Sequence, residues 1–222
     1  MVEISVIIPV YNGEKTLKRA IDSVLNQSFK SDNYELVVVN DGSTDRTGKI
    51  LETYGGRIRT ISQRNKGFLE AAITGFHNAN GKYIIKLDAD DEFDKDILAQ
   101  MHSVMEKNSN AGFVYSDYYE CDATTNKRKL VRTGDNIFNT VAIGIMYRRF
   151  VLDEVGFYDK SMVFAEYDLL MRVMKKYKGM HISKPLFTYY RSGSSITANK
   201  DFIDKAMAQL REKYGELPIR KY

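Results

Sequence analysis

Ile4 to Val10 is an almost unbroken apolar run rich in β-branched residues, the pattern of a strand buried on both faces. The period then changes. Between Glu14 and Gln27, Leu17, Ala20, Ile21, Val24 and Leu25 fall at helical spacing and share one face. The same alternation recurs. Leu36 to Val39 predicts a second strand and Thr44 to Tyr54 a second helix, with Ile50 and Leu51 inward and Gly55-Gly56 as its stop. Ile58 to Ser62, Gly67 to Asn78, Tyr83 to Leu87 and Lys95 to Lys107 continue as strand, helix, strand and helix. Strands alternating with helices require right-handed crossovers, which predicts an α/β fold: a Rossmann-like, mostly parallel sheet with helices on both faces. Ligands of such sheets bind outside the carboxyl ends of the strands. Three segments lie there: Pro9 to Asn12, Asn40 to Asp45, and Asp88 to Asp91.

The second half is less regular. Phe113 to Tyr118 reads as a strand, Tyr119 to Arg132 as a hairpin about the polar Thr124 to Lys127, and Ile143 to Tyr147 as a further strand. Arg149 to Val155 is a short helix ended by Gly156, and Glu166 to Lys178 a clear amphipathic one with Leu170, Val173, Met174 and Tyr177 on one face. Phe187 to Tyr190 and Asp201 to Tyr214 supply a last strand and a terminal helix.

Composition narrows the class. The 222 residues, 43% apolar and 28% charged, suit one large domain with a real core. The net charge of +4 is spread out, with small clusters at Arg148-Arg149 and Lys175-Lys176-Lys178. That is not the dense stripe of a nucleic-acid-binding surface, though it allows weak attraction to an anionic membrane. Cys121 is the single cysteine, so no internal disulfide forms and a reducing, cytoplasmic setting is expected. MVEISVIIPVYN reads as a first strand rather than a signal peptide, and no apolar stretch approaches the ~20 residues of a membrane helix.

The acids at the fourth strand carry the chemistry. If the chain leaves that strand extended, Asp88 and Asp90 project to one side. Carboxylates so close repel unless a cation intervenes, and Mg²⁺ commonly uses one or two carboxylates with substrate phosphates. Asp94 and Asp96 fit the helix N-terminus that follows. Asn40 to Ser43 reads as a capped turn, or, at this edge, as a place where Asp41 accepts hydrogen bonds from a base or ribose. Pro9 to Asn12 has the same two readings. The glycines of a dinucleotide fingerprint or a P-loop are missing. Glu166 shares the buried face of its helix with Leu170, and an acid there needs a partner or a purpose, which makes it the candidate base. Asp168 is either a second catalytic acid or an i,i+4 partner of Arg172. His77, His102 and His181 have no metal-ligand spacing.

Taken in order, IPVYNGEKTLKRAIDSVLNQ (Ile8 to Gln27), VVNDGSTDRT (Val38 to Thr47), NKG (Asn65 to Gly67) and KLDADDEF (Lys86 to Phe93) resemble the family 2 inverting nucleotide-sugar glycosyltransferases. IGIMYRRFVLDEVGFYD (Ile143 to Asp159) and AEYDLLMRV (Ala165 to Val173) are similar to that family too. The resemblance implies a single GT-A domain: a nucleotide-sugar-binding part over 1–110, an acceptor-binding β/α part over 111–200, and a terminal helix and tail over 201–222. It implies that Pro9, Tyr11, Asn12 and Glu14 line the base and ribose pocket, that Asp41 contacts the nucleobase, that Arg64 and Lys66 lie near the nucleotide, and that Asp88 and Ala89 also contact it. Asp88-Ala89-Asp90 matches the Asp-x-Asp motif, so that Asp88, Asp90 and the adjacent Asp91 would hold Mg²⁺ or Mn²⁺. The family's acidic pair falls on Ala165 and Glu166, with alanine at the first position and Glu for Asp at the second. Tyr190 to Ser195 resembles the family's Tyr-Arg-x-His stretch without its histidine. The implied reaction is inverting transfer from a nucleoside-diphosphate donor, expected to be a UDP-sugar, to a glycan or lipid-linked acceptor in polysaccharide or cell-surface glycan synthesis. Nucleic acid is not an expected partner, and peripheral association with the inner face of a membrane stays open. The departures at Ala165 and Ser192 raise an alternative, a catalytically weak nucleotide-binding module of the same fold. A nucleotidyltransferase would need a glycine-rich phosphate loop that Tyr11 to Glu14 does not supply.

Overall fold

The computed structural model describes residues 2–134, 136–141, 143–191 and 200–216. Among them, nine strands form one sheet in the order β3-β2-β1-β4-β8-β6-β9-β5, with β7 paired to β6. β1 (Ile4–Val10) lies between β2 (Tyr34–Asn40) and β4 (Tyr83–Lys86), and β3 (Arg59–Ser62) flanks β2; all three pairings are parallel. From β4 outward the sheet is mixed. β8 (Met146–Arg148) is antiparallel to both β4 and β6 (Ala111–Asp122), and β9 (Lys178–Arg191) is parallel to β6. β7 (Arg128–Val131) closes the expected hairpin onto β6, and the two-residue β5 (Glu92–Phe93) pairs with β9. The parallel prediction therefore holds for the first half, and the second half adds antiparallel neighbours.

Alternating strand residues feed two cores. Ile4, Val6, Ile8 and Val10 pack with α1 (Leu17–Leu25), α2 (Thr47–Glu52) and α4 (Ile97–Lys107). Ile7, Val37, Val39 and Ile84 pack with α3 (Phe68–Asn78), α5 (Arg149–Val155), α6 (Ala165–Met174) and α7 (Lys200–Tyr214). Helices on both faces follow from strands buried on both.

Two helices start later than their periodicity predicts, at Leu17 and at Thr47. The backbone N–H groups of Gly13 and Glu14 donate to Thr47 Oγ1 (2.8 Å) and Asp45 Oδ2 (3.0 Å). Those of Thr44 and Thr47 donate to Asn12 Oδ1 (2.8 Å) and Asp45 Oδ1 (2.9 Å). These short polar side chains satisfy N–H groups at the helix starts that have no partner within a helix. The register aligns the carboxyl ends that matter: Val10 pairs with Asn40, Asn40 with Ser62, and Leu87 N donates to Ile7 O (2.9 Å) just past β4. The loops after β1, β2, β3 and β4 thus share one edge.

Candidate active site

The first two loops are stitched together. Asn12 adopts φ 52°, a left-handed conformation that asparagine tolerates. Its amide oxygen accepts from Thr44 N, while its own N–H donates to Ser43 Oγ (2.9 Å). The Glu14 carboxylate accepts from Arg46 N and Nε, both at 3.1 Å, and the Arg46 backbone and side-chain bonds hold its carboxyl below the ordinary value. Pro9 is buried at the strand end, and Tyr11 stands 51% exposed above it.

Asp41 has almost no exposure. Its carboxylate accepts from Gln63 Nε2 (2.7 Å), Lys66 N (2.9 Å) and Gly67 N (2.8 Å), so it pins the loop after β3. Gly42, at φ 72°, lets that loop approach, since a Cβ there would lie 2.6 Å from Asn65 N. Three of the carboxylate's roughly four acceptor positions are thus already filled. The side chains of Arg64 and Lys66 are exposed on the loop that Asp41 holds.

After β4 the chain does not continue extended. Asp91 N donates to Asp88 O (3.1 Å), making a turn of Asp88-Ala89-Asp90-Asp91. The same-side geometry expected for Asp88 and Asp90 is therefore replaced by a turn that leaves Asp90 exposed and Asp88 and Ala89 half-buried. Asp91 has no exposure; its Oδ1 accepts from Tyr190 N (2.8 Å), and its buried Oδ2 has no hydrogen-bond partner among the described residues. Burial first, then the charges of Asp90 and Asp88, push its carboxyl well above the usual carboxylate range. Desolvation and Asp88 also raise Asp90. Asp91 thus anchors the turn onto β9 through one carboxylate oxygen. Arg19 of α1 stacks on Tyr190 (3.7 Å to the ring centroid) and donates to Asp90 O, bracing the turn from the other side.

The sequence reading missed Lys86. This last residue of β4 is 5% exposed, and its ammonium lies 2.6 Å from Asp88 Oδ1, 3.6 Å from Glu166 Oε1 and 4.5 Å from the Phe68 ring centroid. Burial opposes its charge, but Asp88, Glu166 and Asp91 outweigh that and hold the lysine above its ordinary value. The signal was a charge inside the run Tyr83-Ile84-Ile85-Lys86-Leu87: a buried lysine on a central strand needs anionic partners. Glu166 opens α6 opposite it. Burial raises the Glu166 carboxyl above the ordinary value, Lys86 counteracts this and Asp88 adds to it. Tyr147 and Tyr158 lie beside it, their hydroxyls raised by burial and then by the Glu166 charge.

Asp168 belongs elsewhere. It is fully buried, with Arg172 Nε at 2.8 Å, Lys213 Nζ at 2.7 Å and Tyr214 Oη at 2.5 Å. Its carboxylate joins α6 to α7, so of its two sequence readings the partner of Arg172 is the observed one. Ser192 to Ser195 lie outside the described residues.

Asp88 and Asp90 suit a divalent ion by donor type, by the exposure of Asp90 at the edge and by the crowding that raises Asp90. They form no closed cage, which accords with an ion that takes remaining ligands from a diphosphate. Among the described residues, three potential ligands gather within 4.8 Å only at Glu3, His102 and Glu106, toward the opposite edge. There Glu106 already holds Lys82 (2.6 Å) and Tyr83. No helix among the described residues is long and apolar enough to cross a membrane.

Comparison with known proteins follows the same outline. The chain is 31% identical to glycosyltransferase GlyA of Streptococcus pneumoniae over 160 residues, 71% of this chain and 21% of that protein. It is 29% identical to chondroitin synthase of Escherichia coli over 236 residues, 99% of this chain and 34% of that protein. The chain spans well under two thirds of either relative. S. aureus TarS superposes with a TM-score of 0.79 at 18% identity, covering 99% of this chain and 67% of TarS. Mannosyltransferase PcManGT of Pyrobaculum calidifontis, in complex with GDP-Man and Mn²⁺, gives 0.73 at 16%, covering 97% of this chain and 66% of that one. These likenesses establish the GT-A fold. Residues 5–173, from β1 through α6, match the family described as Glycosyl transferase family 2, and the chain belongs to that family.

Proposed function

We propose that this chain transfers a sugar, with inversion, from a UDP-sugar to a hydroxyl of a glycan or lipid-linked acceptor in polysaccharide or cell-surface glycan synthesis. The observation that carries the proposal is the approach of Glu166 to the Asp88-Asp90 turn, with Lys86 between them, at the edge where the loops after β1, β2 and β3 also end. The S. aureus TarS fold has been seen with UDP-GlcNAc, at a TM-score of 0.77, which supports a uridine donor.

In this reading the stitched loops of Pro9, Tyr11, Asn12, Glu14 and Asp41 form the floor for base and ribose, and Arg64 and Lys66 extend toward the phosphates. Asp90, with Asp88, would hold Mg²⁺ or Mn²⁺, which when bound offsets charge on the departing diphosphate. Glu166 takes the proton from the acceptor hydroxyl as that oxygen bonds to the anomeric carbon and the bond to the diphosphate breaks. Its raised carboxyl makes it a better proton acceptor than a solvated glutamate, and its fixed place supplies orientation. Association with a membrane's inner face would bring the site to a lipid-linked acceptor.

The test is a donor screen. Thermal shift and calorimetry with UDP-, GDP- and dTDP-sugars in Mn²⁺ should single out the UDP series, followed by UDP release during turnover. Tight UDP binding without turnover on any acceptor would support the catalytically weak module instead.

A further inference from the structure

A lysine on a central strand is an expensive choice for stability. Taking an ammonium out of water costs several kcal/mol, and replacing a buried ion pair with packed apolar groups is often neutral or favourable. Lys86 sits at such a position, between Ile85 and Leu87, both with no exposure. The neighbouring strand residues pack; this one reaches two carboxylates on different elements. Asp88 belongs to the turn after β4, and Glu166 to the first turn of α6. Phe68, at the start of α3, covers the ammonium from a third side.

We propose that Lys86 is a positioning residue that ties the Glu166 carboxylate to the Asp88 turn, so that the proton-accepting group and the diphosphate-binding turn keep one fixed separation. This rests on the glycosyl-transfer reading above. It also makes Lys86 an internal competitor. Its ammonium already offsets the Asp88 charge at 2.6 Å, and the same carboxylate is offered to a divalent cation. Removing the ammonium therefore frees Asp88 for the cation while releasing Glu166. Binding and turnover should move in opposite directions, which a merely structural residue would not produce.

The test uses the full chain with Lys86→Met, Glu166→Gln and the double variant, after melting curves confirm folding. Calorimetry measures UDP with Mn²⁺, and UDP release from UDP-N-acetylglucosamine measures turnover. Lys86→Met should bind UDP with Mn²⁺ at least as tightly as wild type while kcat falls about 100-fold, the penalty of a displaced catalytic group. In the Glu166→Gln background the lysine change should cost little more, because the side chain it positions no longer takes the proton. A crystal structure of Lys86→Met should show the Glu166 carboxylate moved by about 1 Å or more. A kcat within about 3-fold of wild type, or full additivity with Glu166→Gln, overturns the proposal. If wild type neither binds UDP with Mn²⁺ nor turns over, the functional reading fails instead. The Glu166 position in the Lys86→Met crystal structure then decides the tie alone: displacement supports it, and an unmoved carboxylate overturns it.

Discussion

Asp168→Asn separates a structural acid from a catalytic one. The substitution keeps shape and removes charge at a fully buried site that meets Arg172, Lys213 and Tyr214. Breaking a buried pair by removing one partner costs about 3–5 kcal/mol. The lower end applies here, because neither cation is stranded. Arg172 still donates to the carbonyls of Val155 (2.6 Å), Gly156 (2.9 Å) and Phe157. Lys213, with 38% of its side chain exposed, can rehydrate and keeps Asp159 at 3.3 Å. A loss of about 3 kcal/mol corresponds to about 6–12 °C in Tm for a domain of this size. Thermal melts and urea titrations measure it, and UDP release per folded molecule, taken well below Tm, should stay within about 3-fold of wild type. An unchanged Tm with kcat down about 100-fold would refute this and return Asp168 to the reaction.

Other consequences follow from the same contacts. Glu166→Gln should lower kcat by about 10²–10⁴-fold while UDP binding persists, as expected for loss of a general base. The wild-type kcat should rise with pH through a value above the ordinary glutamate range, because burial raises the carboxyl that must be ionised; a limb at or below about pH 4.3 would contradict this. Although burial opposes its ionisation, Asp168 is held below its ordinary value by Lys213, Tyr214 and Arg172. It therefore contributes stability that is fully present above about pH 3.9 and lost as pH falls through its lower folded value; Asp168→Asn should flatten that acid limb of the unfolding curve. Asp41→Ala leaves Gln63 Nε2 and Lys66 N without their acceptor, while Gly67 N keeps Asn65 Oδ1 at 3.2 Å, and should cost about 1–3 kcal/mol, with weaker UDP binding as the second readout. Gly75→Ala places a methyl 2.2 Å from Ile7 Cγ2 and should destabilise by about 1–3 kcal/mol in urea without changing nucleotide affinity.

The first half of the fold was legible because its strands are buried on both faces and its helices on one, so the two periods stand apart in the sequence. The edge carrying Pro9, Asp41 and Asp88 followed from that alternation alone. The second half hides its longest strand. The pattern predicts a strand only over Phe187 to Tyr190, yet β9 begins at Lys178 and runs through Gly179 and Pro185. Its pairing with β6 shifts register between Ser116 and Asp117, where Pro185 enters, an irregularity that accommodates a residue with no N–H to donate. Within the site, local pattern could supply the acids but not their allegiances. Glu166 and Asp168 are two residues apart on one helix. Only tertiary packing turns the first toward Lys86 and the second toward α7. Asp91 was inseparable from Asp88 and Asp90 in sequence, and burial against Tyr190 set it apart.

The central claim is that the Asp88-Asp90 turn receives a nucleoside diphosphate together with a divalent cation. Calorimetry of UDP binding in Mn²⁺ and in EDTA, for wild type and Asp90→Ala, tests it most directly. EDTA and the substitution should each weaken binding about 10-fold or more, and Mn²⁺ should no longer help the variant. Equal affinity in all four arms would contradict it.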